Sequence, residues 1–300
     1  MQRGLGVVLI LISAISFGGL AIFARIAYAA GADPITVLFL RFVIAAVVMI
    51  GIMWVRRLRF PRGRTLFGLL LMGGVGYVGQ SLAYFMALTM ASAALVALLL
   101  YLYPVLVTVT SVVFLGERLT PVKLSALGLA LVGTALTIGP AEGGRPLGIV
   151  LGAAAAVIYS VYILAGSHVT AQAGAITAST VIMTAAAVVY TAIVTIQGPR
   201  FPASLAGWSA VLAIALVSTV LAIVTFFAGL ERIGPTNAAT LSTFEPFVTV
   251  MLSMAFLRET IVPLQIVGGG LILTAVIVLA RSETRQVAAK VYVPMPSGDT

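Results

Sequence analysis

Residues 100–133 read LYLYPVLVTVTSVVFLGERLTPVKLSALGLALVG, and residues 241–275 read LSTFEPFVTVMLSMAFLRETIVPLQIVGGGLILTA. At one constant offset Pro104 falls on Pro246, Ser111 on Ser253, Phe114 on Phe256, Glu117 on Glu259, Pro121 on Pro263 and Gly128 on Gly270. The same offset carries Leu5, Gly6, Val8, Leu9 and Ala14 onto Leu147, Gly148, Val150, Leu151 and Ala156. Residues 4–136 and 146–278 are therefore two copies of one unit. A repeat this long, with every helix in register, points to duplication.

Composition says where the two copies reside. Hydrophobic residues make up 61% of the chain and charged residues 8%, with a mean hydropathy of +1.19. A soluble domain carries about 25% charged residues, so this chain belongs in a bilayer. With no Cys there is no disulfide or thiolate metal site, and a single His makes no imidazole cluster. No metal and no cofactor are expected.

Ten apolar spans follow, each close to the length of about 20 residues that a bilayer requires. They cover 5–29, 35–55, 66–88, 93–115, 121–138, 147–166, 177–196, 208–230, 237–257 and 263–280. The first could pass for a signal peptide, since Arg3 precedes an apolar run. Its repeat partner lies in the middle of the chain, where no signal peptide can be, so it is read as a transmembrane helix. Residues 281–300 carry Arg285, Lys290, Pro294 and Pro296 without a periodic apolar face, and are expected to form a disordered cytoplasmic tail.

The basic residues give an orientation. With the N-terminus in the cytoplasm, the inner segments hold Arg3, Arg56, Arg57, Arg59, Arg62, Arg64, Arg118, Lys123, Arg232, Arg281, Arg285 and Lys290. The outer loops hold Arg145, Arg200 and Arg258. Anionic lipid and the membrane potential retain basic loops inside, so both termini are expected in the cytoplasm. The net charge of +9 is thereby assigned to topology, not to nucleic acid. Five spans per copy is an odd number, so the second copy enters the membrane upside down relative to the first, as an inverted repeat.

Several short motifs now carry a family resemblance: LRF at 40–42, LYP at 102–104, EP at 245–246, and the acidic turns LGERLTP at 115–121 and LRETIVP at 257–263. In these, and in its two five-helix halves, the chain resembles the drug/metabolite transporter superfamily, in particular the EamA-type ten-helix exporters. Arg258 departs from the pattern, which more often has Gly before the Glu, as at Gly116. The resemblance implies an all-α membrane protein with a first five-helix repeat at 1–142 and an inverted second one at 143–280. It also implies a bacterial inner-membrane location and a small-molecule substrate held between the halves, with the fifth and tenth helices at the periphery.

Candidate site residues come from polar and aromatic side chains inside the spans. GVGYVG at 74–79 satisfies G-x-G-x-x-G literally, but that pattern needs a strand running into a helix N-terminus. Inside an apolar helix it reads as close packing on small residues. On the same helix Tyr77, Gln80 and Tyr84 share one face, either lining a wet cavity or satisfied by a neighbouring helix. Their repeat partners are Thr219, Ala222 and Phe226. Arg41 either holds an anion or reaches back to the interface and helix-end carbonyls; a central Arg costs on the order of 2.5–3.5 kcal/mol on insertion scales. Phe17, Tyr101, Tyr103 and Tyr159 complete the expected substrate-binding set. Glu245, beside the helix-breaking Pro246, is the acid within the spans and the candidate for proton coupling; a fixed structural carboxylate is the alternative. Glu117 and Glu259 read as turn chemistry before proline-started helices.

Convergent catalytic groups are missing from the spans, so an integral-membrane enzyme is not expected. No nucleotide motif offers ATP drive. The expectation is a secondary transporter that exports a small organic metabolite, an amino acid or related compound, with an ion gradient, protons in the first place, as the drive. An importer or drug carrier of the same family, a passive pore and a membrane enzyme are the competing readings.

Overall fold

The computed structural model describes residues 2–88, 90–91, 93–138, 144–257 and 262–291. Its helices are long and apolar enough to cross a membrane ten times. In chain order they are α1 (Arg3–Ala29), α2 (Pro34–Val55), α3 (Gly63–Tyr84), α4 (Val96–Leu115) and α5 (Pro121–Ile138). The second half repeats them as α6 (Pro146–Val169), α7 (Ala175–Gln197), α8 (Leu205–Ile233), α9 (Pro235–Phe256) and α10 (Pro263–Ser282). An even number of crossings leaves both ends of the chain on one side, called here the terminal side.

Turn chemistry sets several of these starts. Asp33 caps α2, accepting from the backbone N–H groups of Ile35 and Thr36, and Pro34 occupies the first helical position. Thr120 caps α5 by accepting from the Lys123 N–H at 3.3 Å. Gly234, at φ +79, turns the chain back before Pro235 starts α9. The helix of α10 does not stop at Ala280 as expected but runs on to Val291. Positions 292–300 lie outside the described residues, as does the acidic turn at Arg258 and Glu259.

The two halves interlock. α1 packs on α8 and α9 of the other half, and α6 packs on α3 and α4. Ser13 Oγ donates to the Ala222 carbonyl at 2.8 Å, and Ser218 Oγ donates to the Ser16 carbonyl at 2.6 Å. Both bonds join α1 to α8, so a polar group buried in lipid finds its partner across the repeat. α2 and α7 pack side by side through the centre. At Gly73 no side chain would fit, because the α7 backbone at Ile182 lies against α3. α5 and α10 pack on one another at Gly133 and Gly268; a Cβ on Gly133 would sit 2.7 Å from the Gly268 carbonyl. Val47, Phe67, Val75, Val188 and Ile266 are exposed on the outside, where lipid replaces water.

On the side away from the termini, Asp33 also ties the halves together. Its Oδ2 accepts from the Arg200 N–H at 3.2 Å, the Thr36 hydroxyl accepts from the same N–H at 2.9 Å, and the Ala203 N–H donates to Ala30 at 2.8 Å. Burial pushes the Asp33 carboxyl up. Hydrogen bonds from the Thr36 hydroxyl and from the N–H groups of Thr36, Arg200 and Ile35 outweigh it, and hold the group below its ordinary value.

Candidate functional site

Two pairs of helices lose their regularity at repeat-equivalent places. In α3 the hydrogen-bond ladder widens by one residue over Met72–Tyr77, and in α8 over Leu216–Leu221. Such widenings recur at functional positions. α4 is built from helices Ala93–Leu100 and Tyr103–Leu115, and α9 from Pro235–Ser242 and Phe244–Leu257. Pro104 and Pro246 follow the two breaks, since a proline nitrogen cannot donate to the preceding turn. Half-helix ends near the middle of a span are where inverted-repeat carriers place their polar groups.

Arg41 resolves one choice that the sequence leaves open. It is 4% exposed and points into the protein. Its Nε donates to Thr219 Oγ1 at 2.6 Å, and its Nη2 donates to Tyr77 Oη at 2.8 Å and to the Ser218 carbonyl at 3.4 Å. The Thr219 hydroxyl passes its own proton back to the Ile214 carbonyl at 2.8 Å, across the widened turn of α8. The guanidinium also lies 5.0 Å from the ring centre of Phe42 and 5.7 Å from that of Tyr77. These bonds and ring faces replace water around a cation that no acid touches among the described residues. Snorkelling is therefore not its role.

From Arg41 a run of aromatic contacts crosses the centre. Phe42 stacks on Tyr190 at 5.6 Å and meets Tyr77 edge-on at 5.2 Å. Tyr77 meets Tyr162 at 5.6 Å, Tyr162 stacks on Tyr159 at 6.0 Å, and Tyr159 meets Tyr103 at 4.8 Å. Tyr101 lies 6.2 Å from Tyr103. Four of the expected residues, Tyr77, Tyr159, Tyr103 and Tyr101, thus stand in one row. Tyr162, which the sequence analysis passed over, links them. Its spacing of three residues from Tyr159 on one helix was the available signal. Tyr190 had none, and Thr219 was visible only as the repeat counterpart of Tyr77. Phe17 is partly buried against the main core, just before α1 is interrupted at Gly19, and joins none of the ring contacts described here.

Glu245 enters this row from the second half. It sits in the first turn of the helix Phe244–Leu257, where the helix dipole favours a carboxylate. The hydroxyls of Tyr84, Tyr101, Tyr103 and Tyr159 are within electrostatic reach of it, and so is Arg41. Among the described residues no hydrogen bond reaches its carboxyl. Glu245, Tyr84, Tyr101, Tyr159 and Gln80 each keep part of their surface accessible, whereas Tyr103, Tyr162 and Tyr77 beside them are buried. Partial exposure of these five beside buried neighbours is the arrangement that a ring-walled cleft carrying one carboxyl would require.

A separate groove of 280 Å³ opens where α5, α9 and α10 meet. Phe247, Val250, Met251, Ile266 and Leu273 line it, and Met251 and Ile266 are exposed at its edge. It holds none of the candidate residues and reads as a lipid-facing seam.

Comparison with known proteins places these features. A model of the EamA-like transporter family matches residues 4–139 and again residues 146–281. The uncharacterized transporter YcbK of Bacillus subtilis (strain 168) is 28% identical over 284 residues, covering 90% of each chain. An uncharacterized transporter of Archaeoglobus fulgidus is 26% identical, over 91% of this chain and 95% of its own. A shorter stretch of 96 residues, 30% of this chain and 33% of the relative, is 36% identical to the aromatic amino acid exporter YddG of Ancylobacter novellus. A crystal structure superposes with a TM-score of 0.81 at 23% identity, over 95% of this chain and 99% of the other; it shows the fold.

Proposed function

The chain belongs to the EamA-like transporter family, and from that premise we propose that it exports an amino acid or related small metabolite by proton-driven alternating access. As a family member it is a multi-pass membrane protein that handles a small molecule; in bacteria such proteins lie in the inner membrane. The observation that carries the finer reading is Glu245, an acid of intermediate exposure inside the bundle, with tyrosine hydroxyls and Arg41 in reach and, among the described residues, no hydrogen bond to its carboxyl.

Each group has a role in that reading. The tyrosine faces stack on an apolar or aromatic side chain and their hydroxyls offer polar contacts at the rim. Arg41 supplies a positive field that favours a carboxylate in the cleft without itself leaving its bonds to Thr219 and Tyr77. Glu245 takes up and releases the coupled proton. The breaks in α4 and α9 are the points at which one side can close while the other opens. The partial likeness to an aromatic amino acid exporter makes aromatic amino acids the first substrates to test.

The test is uptake and counterflow in proteoliposomes, with a panel of amino acids and with and without a pH gradient. Accumulation of at least one of them that collapses with the gradient is the expected result. Absence of flux across the panel rejects the substrate class, and flux indifferent to the gradient rejects proton coupling.

A further inference from the structure

The inverted repeat offers an internal control: whatever closes one side of the molecule can be compared with its counterpart on the other. Near the terminal side, the first part of α9 packs on the second part of α4. The counterparts on the opposite side, residues 93–100 of α4 and 244–257 of α9, do not pack on one another to a comparable extent among the described residues. The molecule is thus closed between these two helices on the terminal side.

A polar bond spans that closed seam. Gly116, at φ +62, ends α4 and turns Glu117 across the seam. Glu117 Oε2 accepts from Thr236 Oγ1 of α9 at 2.7 Å, joining the first half to the second. Glu117 Oε1 accepts from Lys123 Nζ at 2.6 Å, an ion pair whose side chains are 19% and 11% exposed. Thr236 is buried, so breaking the contact leaves a hydroxyl and a carboxylate oxygen to be hydrated or left unpaired. The acidic turn, which the sequence presents as helix-start chemistry, is also a cross-repeat contact.

The counterpart positions cannot build the same bond. Thr236 corresponds to Ala94, which has no hydroxyl, and Lys123 corresponds to Gln265, which has no charge. Gln265 Oε1 instead accepts from the Val262 N–H at 3.1 Å, within its own turn. We propose that Glu117, held by Lys123 and bonded to Thr236, is a one-sided gate latch that biases the resting protein toward closure on the terminal side. The proposal rests on alternating access; the latch must open once per cycle, and its strength sets how much of the population is open on that side. Duplication supplied two similar gates with the same acidic turn, and two side chains, Thr236 and Lys123, made them unequal.

The chain contains no cysteine, so one introduced thiol reports alone. Ala239→Cys, three residues on from Thr236 and so on the same helix face, places it toward the closed seam, at a position fully buried when the gate is shut. Its labelling rate in purified, monodisperse protein reads gate opening and needs no substrate, so it stands even if the transport reading fails. Against that background Thr236→Val removes the hydroxyl and keeps the shape, and should raise the labelling rate about tenfold or more, the worth of one hydrogen bond to a charged group. Thr236→Ser keeps the hydroxyl and should label at the parent rate. Glu117→Gln approaches the bond from its other end and should also label faster, which covers the case in which Thr236→Val does not fold. Equal rates in parent, Thr236→Val and Glu117→Gln overturn the latch. Equal acceleration by Thr236→Val and Thr236→Ser overturns it too, by assigning Thr236 to packing.

Discussion

Tyr77 and Thr219 occupy equivalent positions in the two repeats, and both are bonded to the same side chain, Arg41, at 2.8 Å and 2.6 Å. Arg41 has no such counterpart; its repeat partner is Met183. One guanidinium therefore joins the widened turns of α3 and α8 across the pseudo-twofold relation of the halves.

That geometry predicts a stability hierarchy. Tyr77→Phe and Thr219→Val each remove one hydrogen bond to a charged group, a loss of about 1.5–3 kcal/mol. Arg41→Lys should cost at least as much, because an ammonium cannot reproduce the planar fork that reaches both helices. Since both partners share Arg41, the double variant should depart from additivity by about 0.5–3 kcal/mol. Unfolding of the detergent-solubilised variants measures all of this, and wild-type stability in Arg41→Lys would sink the idea of a bridge.

The proposed role of Glu245 separates two modes of transport. Glu245→Gln keeps the size of the side chain but cannot release a proton in the working range. Exchange of substrate for substrate needs no net proton movement and should largely survive. Uphill export driven by a pH gradient should vanish. A merely structural carboxylate would lower both modes together, and unchanged driven export would remove Glu245 from the coupling step.

At the opposite surface, Asp33 predicts a pH dependence. Its folded value is held below the ordinary one of about 3.9. Its contribution to stability is therefore present above the unfolded value and is lost as the pH falls through the folded value. Asp33→Ala should lower stability at neutral pH by about 0.5–2 kcal/mol through loss of the cap. The gap from wild type should narrow below about pH 4. A gap that stays constant through that range would mean the carboxylate is not what matters.

Tyr162 predicts an effect of opposite sign. Its hydroxyl is buried and has no hydrogen-bond partner among the described residues. Tyr162→Phe keeps the ring contacts with Tyr77 and Tyr159 while removing an unpaired polar group, so stability should be unchanged or rise by about 1 kcal/mol. A clear loss in the thermal unfolding of this variant would show that the hydroxyl is bonded in the membrane.

Orientation is the last prediction. We propose that both termini face the cytoplasm, on the bias of the basic loops. In the naturally cysteine-free chain, Arg59→Cys should react only from the cytoplasmic side and Ala203→Cys only from outside. Labelling of both from one side would contradict the inverted repeat, and the reverse pattern would invert the assignment of the termini.

The ten spans, the duplication and the break before Pro246 are legible in the sequence because each depends on local properties: apolar length, a constant offset, a missing N–H. The same is true of the face shared by Tyr77, Gln80 and Tyr84, since helical spacing fixes it. The partners of those residues are not legible. Arg41 reads equally as a snorkelling or an inward residue until α8 places Thr219 against it, because the two lie far apart in the chain. Tyr162 becomes part of the site only when α3 brings Tyr77 to its ring. Glu117 reads in the sequence as turn chemistry alone, and the structure carries it across a seam that only the packing of α4 on α9 creates. Sequence determined which side chains must avoid lipid; tertiary structure decided which of them meet, because in a bilayer a polar group is satisfied by whichever helix stands next to it.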